Sequence, residues 1–156
     1  MSKSIALFGG SFNPPHIGHY EIARRAARRK TIDEVWIVPV YRHPFGKKMA
    51  SFADRLRGCR SFFKPLGPKV KVKDWERRLG GTSYTIRLIR HLKKKYPRHK
   101  FCLILGADAY RERKEWKDFE AIKKEVGLIV FPRGKKSPIP DVSSTEIRRL
   151  ALAEAG

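Results

Sequence analysis

One stretch of the chain concentrates residues suited to holding phosphate: Gly9-Gly10-Ser11-Phe12-Asn13-Pro14-Pro15-His16-Ile17-Gly18-His19. Adjacent glycines let the backbone turn sharply and approach a ligand with no Cβ in the way. If a helix opens here, its first N–H groups and its positive dipole end face the same anion. His16 and His19 are three apart, which places their imidazoles at neighbouring positions on such a helix. Two imidazoles so placed can donate hydrogen bonds to phosphate oxygens. The glycine spacing is neither that of a G-x-G-x-x-G dinucleotide loop nor that of a P-loop. Taken singly, the glycine pair reads as a turn and either histidine as a cap or a packed ring. The whole run reads as a phosphate site.

Other candidates are scattered. Lys47 and Lys48 follow the second apolar run in His43-Pro44-Phe45-Gly46-Lys47-Lys48; taken alone, a charge pair on such a loop reads as solvated. Gly106-Ala107-Asp108 follows the fourth, and its carboxylate suits a ribose hydroxyl or a helix N-cap. Trp116 offers a flat face for an aromatic ring, or a core side chain. The chain holds no convincing Ser/His/Asp or Cys/His nucleophile set. That fits a reaction run by positioning and charge neutralisation.

These residues need a scaffold. Four nearly continuous apolar runs, Ile5–Phe8, Val35–Val38, Phe101–Leu105 and Leu128–Phe131, predict strands covered on both faces. Lys69-Val70-Lys71-Val72-Lys73 alternates and predicts an edge strand guarded by lysines. Helical spacing predicts a helix over 17–30 with Tyr20, Ala23 and Ala27 on one face. It predicts a second over 52–63 (Phe52, Leu56, Cys59, Phe63) and a third over 83–96 (Leu88, Leu92, Tyr96). Ser143 and Glu146 have capping-box spacing and open a last helix through Leu152. Strand and helix alternate throughout. The expected fold is therefore α/β: a doubly wound, Rossmann-like, parallel five-stranded sheet with helices on both faces, forming a single domain over 1–156. Ligands of such sheets sit beyond the carboxyl ends of the strands, where the winding reverses.

Composition narrows the partners. Lys plus Arg is 36 against 15 for Asp plus Glu, a net charge of +21, which favours anionic partners. No apolar stretch approaches the ~18 residues of a membrane span. The N-terminus reads as a first strand rather than a secretory signal. The only cysteines are Cys59 and Cys102, too few for a disulfide framework or a zinc site, so a cytoplasmic setting is expected.

Gly9 to His19 resembles the GGxFxPxHxGH signature of the nucleotidyltransferase superfamily, whose HIGH motif is shared with class I aminoacyl-tRNA synthetases. Ser143-Ser144-Thr145-Glu146-Ile147-Arg148 resembles its second signature, ISSTxIR. With Gly81-Thr82-Ser83-Tyr84-Thr85, Gly106-Ala107-Asp108-Ala109 and Trp116 between them, the set is similar to bacterial nicotinate (or nicotinamide) mononucleotide adenylyltransferases. The resemblance runs from Leu7 to about Leu150. It implies transfer of AMP from ATP to a pyridine mononucleotide, with magnesium carried as MgATP. It implies that His16 and His19 contact the ATP phosphates and that His19 stabilises the transition state. Gly9, Gly10, Ser11, Phe12, Gly106 and Asp108 would complete the ATP site. Ser144, Thr145 and Arg148 would hold the outer phosphates. Asn13, Lys47, Thr85, Asp108 and Trp116 would bind the mononucleotide, with Lys47 favoured over Lys48. Trp116 would stack on the pyridine, and backbone amides near Thr85 would grip a carboxylate, favouring nicotinate. Relatives usually carry Asp where this chain has Arg87, a reversed charge beside the pyridine segment.

Two rival readings remain. Arg24, Arg25, Arg28, Arg29 and Lys30, with Lys93-Lys94-Lys95, could mark a nucleic-acid-binding module. No RRM, KH, zinc-finger or helix-turn-helix signature accompanies them, so they read as a general electrostatic surface. A pantetheine-phosphate adenylyltransferase or a cytidylyltransferase would share the end motifs. The first usually lacks the segment at 81–85, and the second usually carries an RTEGxSTS-like last motif, absent here.

Overall fold

The computed structural model describes residues 2–132. Five strands form one sheet: β1 Ser4–Gly10, β2 Glu34–Pro39, β3 Val70–Val72, β4 Lys100–Gly106 and β5 Gly127–Phe131. All pairings are parallel and the order is β3-β2-β1-β4-β5. The winding runs outward through β2 to β3, then returns past β1 to β4 and β5. The reversal lies between β1 and β4, where the doubly wound reading places the ligand.

Three of the four continuous apolar runs are explained by two cores, one on each face. The fourth, β5, is an edge strand, with Leu128 and Ile129 only partly buried and Val130 41% exposed, so it is not covered on both faces as expected. Ile5 and Leu7 of β1 join Trp36, Val38, Leu103 and Leu105 on one face; Ala6 and Phe8 join Val35, Ile37 and Ile104 on the other. The first core is roofed by α3 (Trp75–Leu79), α4 (Thr85–Lys95) and α6 (Phe119–Glu125), the second by α1 (Ile17–Ala27) and α2 (Phe52–Phe63). A short α5, Ala107–Arg111, follows β4 directly. Short 3-10 turns at Lys64–Leu66 and Arg113–Glu115 complete the elements. Among the described residues no helix is long and apolar enough to cross a membrane.

α2 has the predicted bounds. Ser51 caps it, its Oγ accepting from Asp54 N–H at 3.1 Å, and Phe52, Leu56, Cys59 and Phe63 are buried. α1 is shorter than its pattern and turned: Ile22, Ala23 and Ala26 are buried, while Tyr20 and Ala27 are only partly so. It stops at Ala27 because Arg28, Arg29 and Lys30 are exposed and nothing apolar extends the stripe. α4 likewise begins two residues late, at Thr85, leaving Ser83 and Tyr84 in its approach. It buries Ile86, Leu88, Ile89 and Leu92. The last helix expected from Ser143 to Leu152 lies outside the described residues.

β3 is one edge of the sheet, and its lysines do more than face water. Lys71 Nζ and Lys3 Nζ lie 2.9 and 2.6 Å from the two oxygens of Glu34, which also accepts from Trp36 Nε1 at 3.1 Å. Burial alone would raise the Glu34 carboxyl, but these hydrogen bonds outweigh it and bring it down to about 2. A depressed carboxyl stabilises the fold above its ordinary range, and that gain disappears as pH falls through the folded value. Glu34→Gln should therefore cost about 1–2 kcal/mol at neutral pH, the lysines being half exposed. Denaturant titrations of both proteins should converge near pH 2, where the carboxyl takes up its proton; an unchanged gap there would refute the ion-pair origin.

Candidate active site

The glycine–histidine run leaves the carboxyl end of β1, where Gly9 and Gly10 lie opposite Val38 and Pro39. A Cβ at Gly10 would come within 3.3 Å of the Phe12 ring, whereas at Gly9 the nearest atom would be the Val38 carbonyl oxygen at 3.8 Å. Gly10 is thus the position where packing demands glycine. Phe12, at φ +47°, is buried edge-on against Phe8 and Phe63. Its side chain shapes the loop from below and does not line the cleft above it. Asn13 is also buried, its Oδ1 accepting from Ala50 N–H at 3.2 Å. It ties this loop to the one after β2 and likewise does not line the cleft.

His16 caps α1. Its Nδ1 accepts from Gly18 N–H at 3.1 Å, and His19 Nδ1 accepts in turn from His16 N–H at 3.1 Å. This is a capping box built from two imidazoles. The rings stack at 3.7 Å, and His19 also meets the Phe12 ring at 4.8 Å. A ring nitrogen that accepts carries no proton, so each neutral imidazole bears its hydrogen on Nε2. The cap fixes the tautomer of both rings, and both residues line the cleft.

That cleft, about 970 Å³, runs along the carboxyl ends of the central strands. From the first run it takes Gly9, Gly10, Ser11, His16 and His19. From the loop after β2 it takes His43 and Lys47, while Lys48 is not among its lining residues. The far wall brings Thr85 at the start of α4, Gly106 and Asp108 after β4, and Trp116. Asp108 is not an N-cap: Gly106 holds that position, and Asp108 sits in the first turn of α5, paired with Arg111. Trp116 is half-buried, edge-on to Phe119 at 5.9 Å. Ser144, Thr145 and Arg148 lie outside the described residues.

Three further residues shape this cleft, and none stands out by motif. Arg55 of α2 is 4% exposed. Its Nε donates to the Ala50 carbonyl (2.9 Å), and its Nη1 donates to those of Ser11 (3.0 Å) and Val40 (2.7 Å). One guanidinium thus clamps the glycine loop, the end of β2 and the lysine loop together, and burial pushes its pKa down. Its position was readable: Arg55 falls on the stripe of Phe52, Leu56 and Cys59, where a solvated arginine would not sit. His43 Nδ1 accepts from Phe45 N–H at 3.1 Å. Burial, then the Lys47 charge, holds its pKa below the usual imidazole value, so it is neutral near pH 7. Glu76 of α3 also lines the cleft although only 4% exposed. α3 is too short for any periodic signal to have marked it.

Ser83 joins the two walls. Its Oγ accepts from Tyr41 N–H (2.9 Å) and Arg42 N–H (3.3 Å), and its own N–H donates to the Arg42 carbonyl (2.9 Å). Arg87 does not line the cleft; its guanidinium donates to the Gly80 carbonyl. The reversed charge seen in the sequence thus sits behind the wall, bonded to the loop there and also felt by the cleft-lining Glu76 carboxyl.

The arrangement sets a helix terminus, two imidazoles, a lysine and an aromatic face around one space. The profile of the family described as Cytidylyltransferase-like matches residues 7–150. A protein of Anaeromyxobacter dehalogenans (strain 2CP-C) named "Probable nicotinate-nucleotide adenylyltransferase" is 40% identical to this chain, the match covering 97% of the chain and 86% of that protein. A protein of the same name from Myxococcus xanthus (strain DK1622) is 34% identical, over 94% of the chain and 80% of its own length. The fold is similar to that of the Plasmodium falciparum nicotinic acid mononucleotide adenylyltransferase complexed with NaAD, with a TM-score of 0.78 and 22% identity, covering 94% and 83% of the two chains. With a family model matching residues 7–150 and a relative 40% identical over 97% of the chain, the chain belongs to the nicotinate-nucleotide adenylyltransferase family, within the cytidylyltransferase-like proteins.

Proposed function

We propose that the chain is one nucleotidyltransferase domain that transfers AMP from ATP to nicotinate mononucleotide, forming the dinucleotide of NAD biosynthesis and releasing pyrophosphate. The observation that carries this reading is the stacked His16–His19 cap, lining the same cleft as Thr85, Asp108 and Trp116.

An oxygen of the mononucleotide phosphate attacks the α-phosphorus of ATP. The bond from that phosphorus to the bridging oxygen breaks, and pyrophosphate leaves with the electron pair. The nucleophile is already ionised, so the protein needs no base; it aligns two anions and neutralises the charge that builds between them. The α1 terminus and the imidazoles of His16 and His19 serve that charge, with Lys47 from the facing loop. Ser144, Thr145 and Arg148 hold the outer phosphates in this reading. Magnesium enters with the nucleotide, held by phosphate oxygens and water.

Nicotinate is favoured over its amide by the start of α4. Tyr84, its N-cap, provides no side-chain bond to the helix, and the first intrahelical N–H is that of Arg87, donating to Tyr84 C=O. The amides of Thr85 and Ile86 have no place in the helical ladder, so they suit a carboxylate.

Pyrophosphate release should be measured with MgATP and, in turn, nicotinate mononucleotide, nicotinamide mononucleotide and phosphopantetheine. Turnover should be fastest with the first; turnover confined to phosphopantetheine would overturn the reading. Trp116→Ala should raise the mononucleotide KM by about tenfold or more, the size of a lost ring stack, and leave the ATP KM within about twofold. An equal rise in both would assign Trp116 to packing.

A further inference from the structure

Glu76 is an anomaly in a site built for anions. Its carboxyl is 4% exposed, lines the cleft beside Ser83, Tyr84 and Thr85, and leaves Oε1 without a hydrogen-bond partner among the described residues. An acidic side chain there would oppose any anion held at the start of α4 if it were ionised. As a carboxylic acid it would instead present an O–H, the complement of a carboxylate.

Its surroundings support the neutral form. Arg87 of α4 supplies positive charge, but its guanidinium also serves the Gly80 carbonyl. His91 of the same helix packs on the Trp75 ring. On α3 itself, Arg77 and Arg78 pair with Asp74. Just after β3, Lys73 rests over the Trp36 ring. In the loop after β2, His43 is neutral near pH 7, Lys47 stands beside it, and the Arg42 backbone is held by Ser83. Burial pushes the Glu76 carboxyl up to about 7 against the opposing effects of Arg87 and Ser83.

We infer that Glu76 is a specificity-determining residue of the pyridine subsite, donating a hydrogen bond to the substrate carboxylate when protonated and accepting one from a carboxamide when ionised. This rests on the AMP-transfer reading above and adds a consequence: acid-over-amide preference depends on pH. The bound carboxylate keeps the Glu76 proton in place, so nicotinate mononucleotide draws a proton from solvent on binding near neutrality. Nicotinamide mononucleotide does not. Because the two share one phosphate and ribose, comparing them cancels any titration of those groups.

Two measurements test this. The first is the ratio of kcat/KM for the acid to that for the amide, followed from about pH 6 to about pH 8.5. It should fall by about fivefold or more in the wild type and by less than about twofold in Glu76→Gln, which keeps shape and donor but cannot ionise. The second needs no variant: calorimetry of each mononucleotide in buffers of different ionisation enthalpy near pH 7. Uptake of about half a proton with the acid, and markedly less with the amide, supports the assignment. A flat ratio in the wild type, the same slope in Glu76→Gln, or equal uptake for both ligands overturns it while AMP transfer stands. Failure to turn over either mononucleotide overturns both readings together.

Discussion

His19→Ala should lose about a thousandfold in kcat, the scale on which removal of one fixed donor to developing charge is felt. The same change should lower the melting temperature by a few degrees, because His19 also accepts the His16 N–H and packs on Phe12. The two effects separate in a second variant. His19→Gln can still reach back to the His16 N–H, as glutamine does in an ordinary capping box. It should regain the wild-type melting temperature and remain slow. Activity of His19→Ala within about tenfold of wild type at saturating substrates would remove His19 from the chemistry and leave it a cap.

Arg55→Ala should be the most destabilising single change outside the two cores. It strips three carbonyls of a buried, charged donor and opens a void under the glycine loop. A loss of about 3–5 kcal/mol is expected, read as a shift of the urea midpoint at constant slope. Its functional signature should differ from that of His19. Arg55 touches Ser11 and Val40, which carry the two loops, so kcat and both KM values should worsen together. Arg55→Lys should recover little, since one ammonium cannot span the fork. A midpoint shift below about 1 kcal/mol would show that the loops hold each other without the clamp.

What could be read in advance follows the physics of local signals. Each buried strand announced itself because residues facing two cores are apolar in succession, as in Val35-Trp36-Ile37-Val38. The β3 edge strand was visible through Lys-Val alternation, and α2 through a serine cap and a stripe. α3, α5 and α6 span five to seven residues, less than two full turns, so they left no period to detect. Within the site, the glycine–histidine run was legible because its parts are contiguous. Ser83 and Tyr41 are brought together by the crossover between β2 and α4, and nothing local in either segment announces that contact. Arg55 and Glu76 were passed over because their residue types suggest surface, whereas burial makes them a clamp and a cleft-lining acid. Phe12 and Asn13 fell inside the motif, where Phe12 packs on Phe8 and Phe63 and Asn13 accepts from Ala50 N–H.

The order of the sheet has a consequence for how the protein is made. β1 is synthesised before the other four strands and is the central one in space, with β4 on its second edge. Until Phe101–Ile104 have left the ribosome, one side of that strand has no partner. At roughly 5–20 residues per second the nascent polypeptide carries this open flank for on the order of ten seconds. During that interval the glycine–histidine loop at the end of β1 has no finished floor.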